Sequence, residues 1–485
     1  MSLKIYNSLS GKLEEFVPLE EGKVRMYVCG PTVYDLLHVG NFRGAVFFNL
    51  VRNWLEYLGY EVTYVYNYTD VDDKIIQKGL AENISPAYIA DRYIKEFEVD
   101  FSRLKLRHHD HNPRCTFYIA DMVEMIRGLI SKGYAYEIDG EVFFEIEKFK
   151  NYGSLSGKNI EELKAGHRVD PDPRKRNPLD FVLWKPSKKG EPSWESPWGA
   201  GRPGWHIECS CMNRVFFGDQ VDIHGGGIDL TFPHHENEIA QSEAFSGKPF
   251  VRYWMHNNFI KFGDEKMSKS LGNVVRAREF MDRYDQEILK FMLLSVHYRS
   301  MLNLEDSQIR QAMARLGRIY SAIKKADDIV AQGGDVVELD QEFKDVLGSA
   351  EKEAIRALND DFNTPQLLAA VFEVVRAFNA SFEKPGITGR HKARAAAFKV
   401  WMSKYGKLTS LFREPADSYL KNLDLILLQD KAISVKDIED LISQRMQARQ
   451  DRNFAKADEI RDRLAEHEIV LQDLPGGTTW EVKKG

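Results

Sequence analysis

The sequence has little cysteine and no long apolar run. Only four cysteines occur among 485 residues, Cys29, Cys115, Cys209 and Cys211, which argues against a disulfide framework and favours metal binding or simple burial. No uninterrupted apolar stretch approaches the roughly 18 residues that cross a bilayer, and the first residues lack the charged and apolar segments of a secretory signal. We therefore expect a cytoplasmic protein that makes no membrane contact.

The sequence also lacks a strong excess of charge of either sign. It has 67 basic and 73 acidic residues and a formal net charge of -6, which excludes a globally basic nucleic-acid coat but leaves room for local basic surface. Hydrophobic residues make up 43% and charged residues 29% of the chain, which is typical of a folded globular protein. At roughly 150 residues per domain, the length predicts about three domains.

The N-terminal part of the chain has a strand–helix–strand pattern. Residues 24–29 form a short apolar run that ends at a Gly-Pro turn and predicts a buried strand. An apolar stripe at helical spacing over residues 47–58 predicts a helix, and the alternating residues 61–67 predict a second strand. Units of this kind bind ligands beyond the carboxyl ends of their strands, which is where Cys29 and Thr69 lie.

Shifts in composition predict five segments along the chain. Residues 1–109 and 205–305 are expected to form the two halves of a doubly wound parallel α/β (Rossmann-like) domain, interrupted by a turn-rich insertion at residues 110–204. Strands nearly vanish after that, so residues 306–413 are predicted to form an α-helical bundle. A polar linker then leads to a small C-terminal unit at residues 418–485.

Two separated segments predict a phosphate site. The run KMSKS at residues 266–270 places the ammonium groups of Lys266 and Lys269 on one loop, and ammonium groups suit phosphate oxygens. Alone, such a run would fit a solvated surface equally well. However, His38 and Asn41 lie at the turn between the first strand and its helix, where side-chain donors and helix N-terminal N–H groups converge. Gly40 permits close backbone approach, and Asn41 is also a candidate helix N-cap.

A second polar cluster predicts a metal site. His234 and Glu238 are four residues apart at the start of a helix predicted from about His234, so both side chains lie on one helical face. Cys29 and Cys209 lie in segments that the fold can bring alongside, and two thiols, one imidazole and one carboxylate suit zinc. By spacing alone, Cys209 and Cys211 could equally supply both thiolates and leave Cys29 out.

Residues 38–41 and 266–270 resemble the paired signatures of class I aminoacyl-tRNA synthetases, which bind ATP between the halves of a doubly wound sheet. The second signature matches completely, whereas Asn41 stands where the first usually has a second histidine. Five further motifs resemble the cysteinyl-tRNA synthetase family: VCGPTVYD from Val28, NYTDVDDK from Asn67, PGWHIECS from Pro203, DIHGGG from Asp222 and FPHHENE from Phe232. This resemblance covers almost the whole chain.

The resemblance implies a role for each candidate residue. One zinc ion per chain would be held by Cys29, Cys209, His234 and Glu238 and would take the thiolate of the substrate cysteine. Activation would be catalysed by His38, Asn41, Lys266 and Lys269. ATP, arriving with Mg²⁺, would be bound by His38, Gly40, Asn41, Gly226, Asp229 and Lys269. The amino-acid pocket would be lined by Gly30, Thr69, Trp205 and His224. Cys115 and Cys211 fall outside the family pattern and are expected to be buried structural residues.

The implied function is ATP-dependent ligation of L-cysteine to its cognate tRNA through cysteinyl-adenylate, by a monomer whose residues 418–485 recognise the anticodon. One alternative is a related ligase of thiol biosynthesis that joins cysteine to an amino sugar, but the long C-terminal tail argues against it. The other is an inactive zinc-containing tRNA-binding protein, but the intact 266–270 signature and the full set of candidate ligands argue against that.

Overall fold

The computed structural model describes residues 2–158, 172–262, 265–266, 275–334, 337–382, 386–474 and 477–484, and for residues 262, 265, 266 and 474 only the backbone. The strands, in chain order, are β1 (Lys4–Asn7), β2 (Lys12–Glu15), β3 (Lys23–Val28), β4 (Glu61–Tyr66), β5 (Ala135–Ile138), β6 (Glu141–Phe144), β7 (Phe181–Pro186), β8 (Gly201–Pro203), β9 (Val221–Gly227), β10 (Val251–Asn257), β11 (Ile260–Phe262), β12 (Glu265–Lys266), β13 (Leu302–Asn303), β14 (Ile469–Leu474) and β15 (Gly477–Val482).

The helices of the described residues are α1 (Val39–Tyr57), α2 (Asp73–Glu82), α3 (Pro86–Arg103), α4 (Ile119–Ser131), α5 (Trp205–Phe217), α6 (Glu236–Ser246), α7 (Ala277–Tyr284), α8 (Gln286–Leu294), α9 (Asp306–Ala331), α10 (Gln341–Asn359), α11 (Thr364–Ala380), α12 (Gly389–Thr409), α13 (Ala416–Leu428), α14 (Val435–Gln450) and α15 (Phe454–Glu466). Over these residues, none of the helices is both long and apolar enough to cross a bilayer. The chain divides into two compact units. The first comprises Met1–Glu279, Leu293–Asn303 and Ala354–Leu367, and the second comprises Phe280–Met292, Leu304–Glu353 and Leu368–Gly485.

A parallel four-stranded sheet organises the first unit, in the order β10-β9-β3-β4. Its strands are apolar on both faces, as in β3, where Met26, Tyr27 and Val28 are all buried, because helices can cover both sides of a parallel sheet. The chain winds from β3 through α1 to β4 on one side and from β9 through α6 to β10 on the other. This confirms the predicted doubly wound α/β class, and it places a crevice at the carboxyl ends of β3 and β9.

The region predicted only as a turn-rich insertion contains an antiparallel sheet, β5-β6-β7-β8. Its strands are three to six residues long, too short for a clear alternating pattern. Trp184 on β7 is completely buried, and Phe144 on β6 stacks on Phe181 with ring centroids 5.0 Å apart. Residues 159–171 of this insertion lie outside the described residues.

The second unit is helical, as the composition predicts, until the hairpin β14–β15 near its end. A separate apolar core joins α14 and α15 to this hairpin through Ile438, Leu464 and Ile469. Elsewhere in the unit, the buried carboxylate of Glu287 accepts hydrogen bonds from the Tyr320 hydroxyl at 2.8 Å and the Phe412 N–H at 2.5 Å. The limits of the five predicted segments remain predictions.

Candidate active site

A cavity of about 550 Å³ opens in the first unit at the carboxyl ends of β3 and β9. Most of the candidate residues line it: Cys29, Gly30, His38, Gly40, Asn41, Thr69, Trp205, Cys209, Gly226, Asp229 and His234. His224 and Glu238 lie behind this lining and are completely buried. Lys269 and the side chain of Lys266 lie outside the described residues. Among the described residues, the cavity lining brings together six of the motifs singled out in the sequence.

The four candidate metal ligands meet at one end of the cavity, with their donor atoms all within 4.8 Å of one another. The Cys29 Sγ lies 3.6 Å from the Cys209 Sγ and 3.5 Å from the Glu238 Oε1, and the His234 Nε2 lies 3.1 Å from the same oxygen. Cys29 follows β3, Cys209 lies on α5, and the other two lie on a π turn (Thr231–His235) and the first turn of α6.

This arrangement favours Cys29 with Cys209 over Cys209 with Cys211, the two thiol pairs that spacing left open. Cys209 and Cys211 are two residues apart on α5, so their side chains point about 200° apart around the helix axis. Cys211 is buried in the apolar core instead. Cys115 is also buried and donates a hydrogen bond to the Glu208 carboxylate at 2.8 Å. Both cysteines therefore have the buried positions that the sequence analysis expected.

The cluster has the electrostatics of a cation site. A hydrogen bond from the Cys29 thiol, opposed by burial, lowers the pKa of Cys209 to about 6, whereas burial raises the pKa of Cys29. Burial opposes charge on His234, but Glu238 and Cys209 more than compensate and raise its pKa to about 10. His224 and His234 likewise overcome the effect of burial and lower the pKa of Glu238. The ionised forms of Cys209 and Glu238 are thus favoured beside the positively charged His234.

Histidines and one tryptophan surround the ligands. His224 Nε2 lies 2.8 Å from Glu238 Oε2, so the two oxygens of this carboxylate face different histidines. Cys29, His224, His235 and Glu238 form a second set of donor atoms within 4.8 Å of one another. Trp205 stacks on His234 with ring centroids 4.1 Å apart and remains 37% exposed, which suits the aromatic wall expected of it.

The start of α1 forms the other end of the cavity. His38 is the N-cap residue, and Asn41 is the third residue of the helix, with its Oδ1 accepting a hydrogen bond from the His38 N–H at 3.1 Å. The expectation that Asn41 is the N-cap is therefore wrong, because helical geometry begins earlier and its amide reaches back from inside the first turn. A β-carbon at Gly40 would lie 2.8 Å from His38 Nδ1, so a larger residue would displace that ring.

Glycines keep the cavity open beside the ligands. A β-carbon at Gly30 would lie 1.7 Å from the backbone oxygen of Asn67, and one at Gly226 would lie 2.9 Å from Leu230. The Asn67 side chain also accepts a hydrogen bond from the Gly30 N–H at 2.9 Å. Asp229 lies on a 3₁₀ turn just after β9 and lines the cavity.

Sequence reasoning missed the residues that hold the ligand-bearing turn. Glu236 is completely buried, and its two carboxylate oxygens accept the N–H groups of Gly153 and Ser156, each at 2.9 Å. Asn237 accepts a hydrogen bond from the Tyr152 hydroxyl at 2.5 Å. Their position between two ligands in FPHHENE is the only sequence signal, because their partners lie about eighty residues away along the chain.

Three family models match the chain: "tRNA synthetases class I (C) catalytic domain" over residues 15–314, "DALR domain" over 354–413 and "Cysteinyl-tRNA ligase anticodon binding domain" over 435–480. A cysteine–tRNA ligase of Bdellovibrio bacteriovorus is 51% identical, with 99% of this chain and 100% of the relative covered. One of Geobacter metallireducens is 47% identical, with both chains fully covered.

Among solved structures, Mycobacterium tuberculosis methionyl-tRNA synthetase in complex with methionyl-adenylate superposes with a TM-score of 0.60. The two sequences are 14% identical, and the superposition covers 84% of this chain and 93% of the other. At this identity the likeness shows a shared fold and nothing more specific. The full-length sequence matches and the family models are more specific, and they show that the chain belongs to the class I cysteinyl-tRNA synthetase family.

Proposed function

We propose that the protein activates L-cysteine with ATP and transfers it to its cognate tRNA. The observation that carries this is the single cavity with a soft donor set at one end and the His38–Asn41 turn at the other. The first end suits a thiol held by a metal ion, and the second suits phosphates at a helix N-terminus. Membership of the cysteinyl-tRNA synthetase family supports the same reaction.

The donor set fits zinc and would supply the means to tell cysteine from serine. The two substrates differ by sulfur for oxygen, and shape alone separates such near-isosteres by only about 1–3 kcal/mol. Zinc held by Cys29, Cys209, His234 and Glu238 would favour a thiolate, because a thiol near pKa 8.5 ionises far more readily than an alcohol and is a softer ligand. His224 then acts by orienting the Glu238 carboxylate.

At the other end, the residues position and neutralise phosphate. The cysteine carboxylate attacks the α-phosphorus of ATP, pyrophosphate leaves, and cysteinyl-adenylate forms. His38 and the first N–H groups of α1 face the phosphates, and Lys266 and Lys269 add positive charge as negative charge develops, together with Mg²⁺ that arrives with ATP. Gly226 and Asp229 bind the nucleoside. Catalysis rests on orientation and electrostatics, with no covalent enzyme intermediate.

In the second step, a ribose hydroxyl of the tRNA 3′ end attacks the adenylate carbonyl, and AMP leaves. Thr69, Gly30 and Trp205 line the cavity around the aminoacyl group. The α14–α15 unit with its β14–β15 hairpin coincides with the match to the anticodon-binding family model and would recognise the tRNA. We propose that the protein works as a monomer in the cytoplasm.

Pyrophosphate exchange and tRNA charging test this function together. Exchange should depend on cysteine and should not be supported by serine, and charging should require tRNA for cysteine. A chain lacking residues 435–485 should keep pyrophosphate exchange and lose charging, because seven of the eight buried residues of the α14–α15 apolar core are removed together. Equal losses in both assays would contradict the proposal that residues 435–485 serve tRNA recognition and not activation. Exchange without any charging by the full-length protein would favour a ligase with another acceptor.

Cobalt substitution tests the role of the metal separately. Adding cysteine to the cobalt-loaded protein should produce a new sulfur-to-metal charge-transfer band, and adding serine should produce none. If cysteine leaves the spectrum unchanged, the metal is structural and the discrimination between the two amino acids lies in the Trp205 and Thr69 part of the pocket.

A further inference from the structure

Arg43 is a buried cation that none of the recognised motifs includes. It is the fifth residue of α1 and is 2% exposed. Its guanidinium donates to four backbone carbonyl oxygens, and it has no ion pair within the described part of the chain. Burial lowers the pKa of Arg43 to about 10, so the group is still protonated at neutral pH. Burying such a charge is costly, and these four carbonyl dipoles are what offset the cost.

The four carbonyls belong to two segments. Nη1 donates to Asn258 at 2.8 Å and Phe259 at 2.6 Å, and Nη2 donates to His297 at 3.2 Å and Ser300 at 2.5 Å. These two segments also bond to each other, since the Asn258 N–H donates to the Tyr298 carbonyl at 2.8 Å and β11 pairs with β13. Each terminal nitrogen of the guanidinium therefore binds one of two segments that are also hydrogen-bonded to each other.

The segment that carries Lys266 and Lys269 begins directly after this contact. Residues 258–262 lead into it, and residues 275–277 follow it. Residues 275–277, the flank that follows the segment, are also bonded to the first signature and its neighbour Leu37. The Val39 N–H donates to the Val275 carbonyl at 3.1 Å, and the Ala277 N–H donates to the Leu37 carbonyl at 3.0 Å. Both described flanks of the KMSKS segment are thus attached to residues 37–43.

We infer that Arg43 is a positioning residue that fixes the entry flank of the KMSKS segment relative to His38. This rests on the proposed function. A planar guanidinium with donors on two nitrogens reaches both segments at once, whereas an ammonium group is a point charge that can serve only one. Misplacement of reacting groups by about 1 Å costs about 100-fold in rate, so a small shift of this flank is enough to slow activation.

Arg52 offers a matched control on the same helix. It is completely buried, and it donates to the His108 carbonyl at 2.6 Å and to the Asn49 side-chain oxygen at 3.4 Å. Within the described part of the chain, neither of these hydrogen bonds reaches residues 258–262 or 275–277. Arg43→Lys and Arg52→Lys therefore remove the same chemical group from the same helix. Only the first should act on residues 258–262 and 297–303.

Three measurements on the full-length protein test the inference: hydrogen–deuterium exchange, single-turnover adenylate formation and the KM for cysteine. Arg43→Lys should speed exchange in peptides covering 258–262 and 297–303 and slow adenylate formation by about 100-fold, with the KM for cysteine and metal content unchanged. Arg52→Lys should lower Tm to a similar degree and leave adenylate formation near the wild-type rate. Where lysine prevents folding, Arg43→Gln repeats the test without a buried charge.

Three results would overturn the inference. Equal slowing by both variants at equal loss of Tm, or failure of both Arg43 variants to fold while Arg52→Lys folds, would show that Arg43 serves folding alone. Unchanged hydrogen–deuterium exchange at the two segments in Arg43→Lys is the third. Failure of the proposed function has a different signature: the wild-type protein would form no cysteinyl-adenylate, while the exchange data would still decide whether Arg43 holds the two segments.

Discussion

The two ends of the cavity are built in different ways. The proposed metal end consists of side chains that converge from residues 29, 209, 234 and 238, most of them buried and all interacting electrostatically. The proposed nucleotide end is built mainly on a contiguous turn, residues 38–41, whose N–H groups and glycine backbone form the surface. The metal end therefore depends on the chemical identity of each side chain, whereas the nucleotide end depends largely on the path of the backbone.

Cys209→Ser should have the largest effect, and it should act at the metal end. Serine keeps the volume but replaces a soft thiolate with a weakly acidic alcohol. We therefore expect metal affinity to fall by more than the roughly 10- to 100-fold that loss of a hydrogen bond to a metal ligand costs. Cysteine-dependent pyrophosphate exchange should be abolished. Metal stoichiometry after dialysis against a chelator measures the effect. Cys211→Ser is the control, since that buried cysteine on the same helix lies outside the cluster, and comparable metal loss there would refute the ligand assignment.

Lys269→Ala should impair the activation step at the nucleotide end and leave the metal end unaffected. Removing a preorganised positive charge should cost about 3–4 kcal/mol in the activation step, with metal content unchanged. Single-turnover adenylate synthesis at saturating ATP and cysteine gives the rate. Lys248→Ala, which removes an exposed lysine paired with Asp219, serves as the control. A near-normal rate for Lys269→Ala would remove this residue from the mechanism.

Glu236→Gln tests whether the metal end needs support from outside the ligand set. An amide has one acceptor oxygen, so one of the N–H groups of Gly153 and Ser156 loses its partner, and metal affinity should drop by about 10- to 100-fold. Chelator-driven metal release measures this. Glu243→Gln on the same helix also removes a carboxylate that accepts a backbone N–H, from Phe250, but it should leave metal release unchanged. If both variants release metal alike, general loosening of α6 is the cause.

Asn41→Ala should have the smallest effect. Losing the bond to the His38 N–H should cost about 1 kcal/mol of stability and raise the KM for ATP, because the turn that faces the phosphates is less well fixed. Asn453→Ala removes the N-cap side chain of α15 and should reproduce the stability loss without the change in KM. An unchanged KM for ATP in Asn41→Ala would show that the backbone alone holds the turn.

The same contrast explains what the sequence could reveal. The turn at residues 38–41 is local, so the strand, the turn and the stripe of α1 predict its place in the fold directly, although not which residue caps the helix. That this turn and the distant segment 266–270 bind the nucleotide together stays a prediction. The metal end is not local. Spacing alone could not choose between Cys29 and Cys211, and the resemblance to a family named the set that the structure brings together. Glu236, Asn237 and Arg43 escaped because their partners lie far away along the chain. For Glu236 and Arg43 these partners are backbone groups, which leave no side-chain pattern in the sequence, and for Asn237 the partner is the hydroxyl of Tyr152.

The close approach of Gly30 to Asn67 limits how the pocket can be redesigned. Because a β-carbon there would meet a main-chain oxygen at 1.7 Å, no mutagenesis library can recruit position 30 to accept a bulkier or unnatural amino acid without moving β4. Directed evolution of this enzyme toward new substrates should hold that glycine constant and diversify Trp205 and Thr69, whose side chains already border the cavity.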